Sequence, residues 1–188
     1  MRQCIECSLK INIVEQVRKM ISDKIQDAFN KQINAEIYSS YLYLSMSSYF
    51  QSTNLNGFGN WMRCQAQEEL VHAMKFYNFI NDRGGLVTLT AIEGPPTKWN
   101  SPLHAFQEAY AHEQKVTGLI NSLVDLTIKQ KDHASATFLQ WFVNEQVEEE
   151  ASADGVVQQL KLAGDQGSGL FMIDRELASR TFVMPTVL

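Results

Sequence analysis

The sequence predicts an all-α fold: a four-helix bundle with one long crossover between its second and third helices, and a short fifth helix at the C-terminal end. Three observations carry this expectation. Apolar residues recur at alternating steps of three and four through four long stretches. The only prolines are Pro95, Pro96, Pro102 and Pro185, so nothing in the first ninety residues forbids helix. One long proline- and glycine-punctuated connection divides the helical stretches into two pairs.

The first helix is expected from about Ser22 to Phe50, ending in the turn Gln51-Ser52-Thr53-Asn54. The second runs from about Asn56 to Arg83 and is stopped by Gly84-Gly85. So short a link makes these two antiparallel neighbours. From Gly84 to Asn100 the chain carries the β-leaning Leu86-Val87-Thr88-Leu89 and the breaker Gly94-Pro95-Pro96, a connection long enough to travel the length of a bundle. Ser101 as N-cap and Pro102 at the first helical position start a third helix to about Gln130. Asp132 caps a fourth that lasts to about Ala163, where Gly164 ends it. A short helix from Leu170 to Arg180 places Leu170, Ile173 and Leu177 on one side. Isolated helices shorter than about 12 to 15 residues are marginal in water, so this one needs a partner surface, expected in another subunit.

A chain of 188 residues with 45% hydrophobic residues is large enough for one domain with a full core. That domain is expected over residues 20–188. Residues 1–19 are expected to be a poorly ordered extension, of the kind an upstream start codon adds. The lone Cys4-Ile5-Glu6-Cys7 in it has no second pair and no βαβ context, so it reads as tail sequence and not as a redox or zinc motif. A net charge of −5 and a pI near 5.4 argue against nucleic acid or an acidic membrane surface as partner, and make cations the natural guests. No apolar run approaches a membrane span. Glu6, Lys10 and Glu15 interrupt any signal-peptide core, so a cytoplasmic location is expected.

The apolar stripes carry the chemistry because each is interrupted near its middle. The first helix reads Phe29, Ile33, Glu36, Ser40, Tyr43, Ser47, Phe50, and the second Phe58, Met62, Gln65, Glu69, His72, Phe76, Ile80. The third reads Phe106, Tyr110, Glu113, Thr117, Ile120, Val124, and the fourth Phe138, Phe142, Glu145, Glu149, Ala153, Val156, Leu160. Glu69 and His72 lie three apart and so share a helix face, offering a hard oxygen and an imidazole nitrogen to one cation. One acid in one stripe is most simply a stripe edge, or a buried acid bonded to a tyrosine. Acids in all four stripes are different, because desolvating several carboxylates together costs tens of kcal/mol in the idealised limit, roughly, unless they protonate, hydrate or meet cations. Glu36, Glu69, Glu113 and Glu149 carry the charge that two divalent ions would balance, with His72 as neutral donor. Glu145, Glu148 and Glu149 are expected in one inward-leaning arc beside Glu68 as a further, more open cation site, with Glu150 left on a solvated face. Oxygen ligands with one imidazole suit Fe(II), Mn(II) or Zn(II) alike.

Carboxylate-bridged bundles of the symmetric kind place a Glu-x-x-His on each of two helices. Here the second such position holds Gln146-x-x-Glu149. That departs from the bacterioferritin and rubrerythrin pattern. The segments Gln32-Ile33-Asn34-Ala35-Glu36-Ile37-Tyr38-Ser39, Ala66-Gln67-Glu68-Glu69-Leu70-Val71-His72-Ala73 and Phe138 to Glu150 resemble those of prokaryotic (bacterial and archaeal) non-haem ferritins, in the ferritin-like di-iron superfamily, over about Met20 to Phe182. The resemblance implies a ferritin-like fold and a ferroxidase: Glu36, Glu69 and His72 hold one iron, and Glu69 bridges to a second held by Glu113 and Glu149, with Gln146 close by. It also implies a third iron at Glu68, Glu145, Glu148 and Glu149, and catalytic aromatics at Tyr43 and Trp141. The expected partners are Fe(II), dioxygen and further copies of the chain in a shell of twenty-four subunits, with Fe(III) mineral deposited inside. Leu70 stands where bacterioferritin has its haem-ligating methionine, so no haem is expected. The rival readings are a small-oligomer di-iron oxidase or peroxidase of the same fold, and a shell subunit acting only in mineral nucleation.

Overall fold

The computed structural model describes residues 19–164 and 166–184, and the expectations for Cys4, Cys7 and the rest of the N-terminal extension fall outside them. Among the described residues five helices follow one another: α1 (Asp23–Ser52), α2 (Asn56–Asp82), α3 (Pro102–Gln130), α4 (His133–Ala163) and α5 (Gly167–Leu177). Their ends follow local chemistry. The Ser22, Ser101 and Asp132 side chains accept the backbone N–H groups of Ile25, His104 and Ser135, capping α1, α3 and α4. Lys131, at φ 55°, makes the left-handed turn between α3 and α4. The short links pair α1 with α2 and α3 with α4, and the two pairs close into a four-helix bundle.

The crossover between α2 and α3 is extended, but no strand forms among the described residues. The β-leaning Leu86-to-Leu89 run has no strand to pair with. Instead, side chains spaced four apart on α1 satisfy its backbone. Gln26 Oε1 accepts from Leu86 N at 3.0 Å, Asn30 bonds both Leu86 O and Thr88 N at 3.0 Å, and Asn34 Nδ2 donates to Ala91 O at 3.0 Å. One face of α1 thus reads out the connection as a partner strand would, and leaves Leu86 and Leu89 exposed.

The fifth helix begins and ends three residues earlier than its apolar pattern suggested. Gly167 and Gly169, which precede the expected start, lie inside it. A Cβ on Gly169 would sit 2.8 Å from the Ala163 Cβ, so glycine permits the close return after α4. Its partner surface also differs from expectation: Ile173 and Leu177 are buried against this chain's own bundle, in the cluster with Phe58, Trp61 and Val157. Asp174 Oδ1 accepts the backbone N–H groups of Gly57 (2.7 Å) and Phe58 (3.1 Å), supplying the side-chain cap that α2 lacks locally.

Two apolar clusters fill the bundle, and the polar interruptions separate them. Tyr43, Met46, Phe50, Phe58, Met62, Phe106 and Val156 lie towards one end. Ile25, Phe29, Phe76, Ile80, Ile120, Leu139 and Phe142 lie towards the other. Every position of the α1 and α2 stripes is buried. On α3 the buried line is turned towards Ala109, Val116 and Leu123, leaving Tyr110, Thr117 and Val124 only half-buried.

Candidate metal centre

The bundle axis brings one acid from each helix to the same level. Glu36, Glu69, His72, Glu113, Gln146 and Glu149 are all buried, each at most 6% exposed. Glu36, Glu69 and His72 can each turn one ligand atom within 4.8 Å of the others, and so can His72, Glu145 and Glu149. His72 belongs to both groups because its two nitrogens face opposite ways. Nδ1 lies 3.4 Å from Glu69 Oε2, and Nε2 lies 3.9 Å from Glu145 Oε1.

Glutamines tie these acids together. Gln32 donates to Glu36 Oε1 at 3.0 Å and Gln65 to Glu69 Oε1 at 3.2 Å, the same i, i+4 arrangement on neighbouring helices. Gln65 also reaches across to Glu149 Oε2 at 2.6 Å, joining α2 to α4. Gln146 donates to Glu113 Oε2 at 3.3 Å, and the Tyr43 hydroxyl donates to Glu113 Oε1. Among the described residues, two buried side-chain atoms of this cluster have no hydrogen-bond partner, Glu36 Oε2 and His72 Nε2. Buried polar atoms are nearly always satisfied, and each of these can offer a lone pair to a cation, Nε2 on the side that faces Glu145.

Burial and mutual repulsion dominate the electrostatics. Desolvation, then the Glu69 charge, pushes the Glu36 and Glu113 carboxyls up to about 8. Desolvation and Glu113 push Glu149 up to about 8, and desolvation and Glu149 hold Glu69 well above the carboxylate range. The Tyr43 hydroxyl is likewise raised, by burial and then by Glu113, so it remains a donor. Burial and mutual repulsion thus disfavour the charged forms of all four carboxyls, which a bound cation would stabilise.

The remaining expected residues are divided between this core and its margin. Glu145 and Glu68 are half-buried. Glu148 is exposed, outside the inward-leaning arc expected for it, because successive residues are turned about 100° around a helix and the packed arc runs through Phe142, Gln146 and Glu149. Glu150, expected on the solvated face, is half-buried and accepts the Thr117 hydroxyl at 2.5 Å. Trp141 lies edge-on to His72, ring centroids 5.4 Å apart, with the Lys75 Nζ 4.1 Å over its face. Leu70 is exposed on α2.

Sequence reading missed three residues. Gln65 stood in the α2 stripe with no role attached; its position one turn before Glu69 was the available signal. His112 lies next to Glu113, bonds Ser39 Oγ at 2.8 Å and is held neutral by burial, its pKa lowered to about 4. Arg180 follows α5 and bonds Glu68, a contact that no local pattern announces.

Comparison with known proteins places this geometry. A family model for the ferritin-like domain matches residues 26–163. A bacterial non-heme ferritin of Bacteroides fragilis is 47% identical over 161 residues, 86% of this chain and 100% of the relative. That of Staphylococcus saprophyticus is 40% identical over 163 residues, 87% of this chain and 98% of its own. Among solved structures, a closed form of the Archaeoglobus fulgidus ferritin engineered by site-directed mutagenesis superposes with a TM-score of 0.86 at 55% identity, covering 87% of this chain and 99% of its own. An open pore ferritin from the same archaeon superposes at 0.85 with 55% identity, covering 86% and 99%. Matched along nearly the whole length of these relatives, the chain belongs to the ferritin family.

Proposed function

We propose that this chain is an iron-storage subunit that oxidises Fe(II) with dioxygen at the buried cluster and passes Fe(III) to a mineral held in a shell of its own copies. The observation that carries the reading is the convergence of Glu36, Glu69, His72, Glu113 and Glu149 on one level of the bundle, with Glu36 Oε2 left without a hydrogen-bond partner among the described residues. In this reading Glu36, Glu69 and His72 hold one Fe(II), Glu69 bridges, and Glu113 and Glu149 hold the second with Gln146 alongside. Four carboxylates balance the charge of two Fe(II), and binding releases the protons that the raised pKa values retain. Dioxygen takes one electron from each ion. The protein acts as a template, fixing both metals and leaving coordination positions open. Tyr43, donating to Glu113, orients a ligand of the second iron. Trp141 packs on His72 from the other side.

Glu145, Glu68 and the exposed Glu148 lead outward from Glu149 and would take a third iron on its way out. The family relationship supports assembly into a shell of twenty-four subunits. No helix among the described residues is long and apolar enough to cross a membrane. The rivals, a small-oligomer oxidase and a nucleation-only subunit, are separated by one experiment: aerobic Fe(II) loading of the purified protein, with oxidation followed by absorbance and assembly by size exclusion. A large shell that retains iron and oxidises it rapidly supports the proposal. A monomer or dimer retaining none, or a shell oxidising iron no faster than buffer, overturns it.

A further inference from the structure

Arg180 occupies Glu68 from outside the bundle. After α5 the chain folds back along α2, where Asn60 Nδ2 donates to the carbonyl of Arg180 at 2.9 Å and to that of Leu177 at 3.3 Å. This anchoring delivers the Arg180 guanidinium to a prepared seat. It lies over the Trp61 ring, 4.3 Å from the centroid, and donates to the Trp61 carbonyl at 3.3 Å. Its Nη2 donates both to Glu68 Oε2 and, at 2.9 Å, to Gln65 Oε1. The Arg180 and Glu68 side chains are 21% and 18% exposed, so the pair is largely withdrawn from solvent.

The two acceptors lead to different parts of the site. Glu68 neighbours Glu69 in sequence and Glu145 electrostatically, at the outer margin of the cluster. Gln65 has a single carbonyl oxygen, and Arg180 takes it. Its amide nitrogen is thereby directed inward, to Glu69 and Glu149. A guanidinium is always charged and presents several donors in a rigid fork, so one residue can set both side chains together.

We propose that Arg180 is a positioning residue that acts as a built-in counter-ion for Glu68, so that a cation at the outer Glu68–Glu145 position must displace it, while the inner pair binds without that competition. The device makes the outer position weaker than the inner ones. Iron then rests there briefly instead of being trapped, as a transfer position requires. This inference rests on the metal-binding reading of the cluster, and its test separates the two.

The probe is Zn(II), a redox-inert divalent cation, titrated calorimetrically into the assembled metal-free protein, with the bound ions located by anomalous diffraction. The wild type is expected to bind two ions tightly per chain and a third more weakly. In Arg180→Gln the third ion binds about tenfold or more tightly, the order of one charge-assisted hydrogen bond no longer broken. Arg180→Lys, which keeps the charge but not the fork, falls between. In a Glu68→Gln background, Arg180→Gln tightens the third ion far less than in the wild type, the remainder being its contact with Gln65, whereas a merely structural loosening of the tail would act equally in both backgrounds. An unchanged or weakened third ion in Arg180→Gln overturns the proposal while leaving the inner pair standing. A wild type without the tight pair, or one whose pair survives in Glu69→Ala, overturns the metal-binding reading and this inference with it.

Discussion

His72 and Glu145 face each other across 3.9 Å, and the Nε2 that His72 turns towards Glu145 has no hydrogen-bond partner. The other nitrogen of the same ring lies 3.4 Å from Glu69. The imidazole therefore forms the wall between the buried acids and the half-buried ones, and substitutions on its two sides should separate binding from transfer. With Glu69 and His72 holding the inner pair as proposed, Glu69→Ala or His72→Ala should lower rapid Fe(II) oxidation by more than about a hundredfold, since even partners of metal ligands cost about 10- to 100-fold. Glu145→Ala should leave the first turnover fast and slow the later ones, because iron leaves the pair less readily. Stopped-flow oxidation at two and at many Fe(II) per chain distinguishes the outcomes. Equal loss in both regimes for Glu145→Ala would place that residue in the inner site instead.

Metal-free protein should become less stable as pH rises from about 4.5 to about 8. The folded cluster retains protons on Glu36, Glu113 and Glu149, whose pKa values are raised to about 8, whereas the unfolded chain releases them near 4.5. A raised folded-state value stabilises fully below the unfolded pKa, and that contribution is lost as pH climbs through the folded one. A fall in Tm of roughly 5 to 10 °C across this window corresponds to a few kcal/mol in a domain of this size. Saturating Zn(II) should reverse it by binding only the folded state. Calorimetric melts with and without Zn(II) test both halves, and a Tm that rises with pH in the metal-free protein would contradict the crowded-acid picture.

How far the sequence foretold this arrangement depends on how local each feature is. Every stripe position on α1 and α2 is buried as read, because large apolar residues mark those faces without ambiguity. On α3 the buried face lies part of a turn away from the apolar stripe: the small Ala109, and not Tyr110, fits between helices, and Ala105 behaves likewise. Glu36, Glu69, His72 and Glu113 were legible because an acid inside an apolar stripe breaks a periodic pattern. Glu148 was misplaced because neighbouring acids on one helix look alike until packing selects among them. Arg180 and its seat on Trp61, Gln65 and Glu68 could not be read at all: the contact spans more than a hundred residues and follows from how α5 docks.

That docking depends on the absence of a side chain. A Cβ on Gly57 would lie 1.6 Å from the Asp174 carbonyl oxygen, and backbone cannot yield as a flexible side chain can. Gly57→Ala should push α5 off the bundle, remove the Asp174 cap from α2 and expose Ile173 and Leu177, costing more than about 2 kcal/mol. Gly155, inside α4, has nothing within 4 Å of its Cβ position. Gly155→Ala should instead stabilise by about 0.5 to 1 kcal/mol, from helix propensity and a less free unfolded chain. Thermal melts of the two variants should move in opposite directions. A Gly57→Ala protein as stable as wild type would mean that α5 is held by something other than this close approach.

Asp132 ties the ends of both helix pairs together. Its Oδ1 accepts the Ser135 backbone N–H at 3.1 Å, starting α4, and both its oxygens face Arg83 at the end of α2 at 3.2 Å. Partial burial pushes its carboxyl up, but the hydrogen bonds from Arg83 and Ser135 outweigh this and leave it below the usual value. A lowered folded-state value stabilises above the unfolded pKa, near 3.8, and is lost as pH falls through the folded one. Asp132→Asn keeps an acceptor for the cap and loses the ion pair, so it should cost well under about 1 kcal/mol at this partly open position. Asp132→Ala loses both and should cost about 1 to 2 kcal/mol. Melts at pH 7 rank the two variants, and a second series at falling pH should bring wild type and Asp132→Asn together only below the ordinary value of 3.8, as the carboxylate takes up its proton. A gap already closed above that value would mean that the Arg83 contact is not the source of the difference.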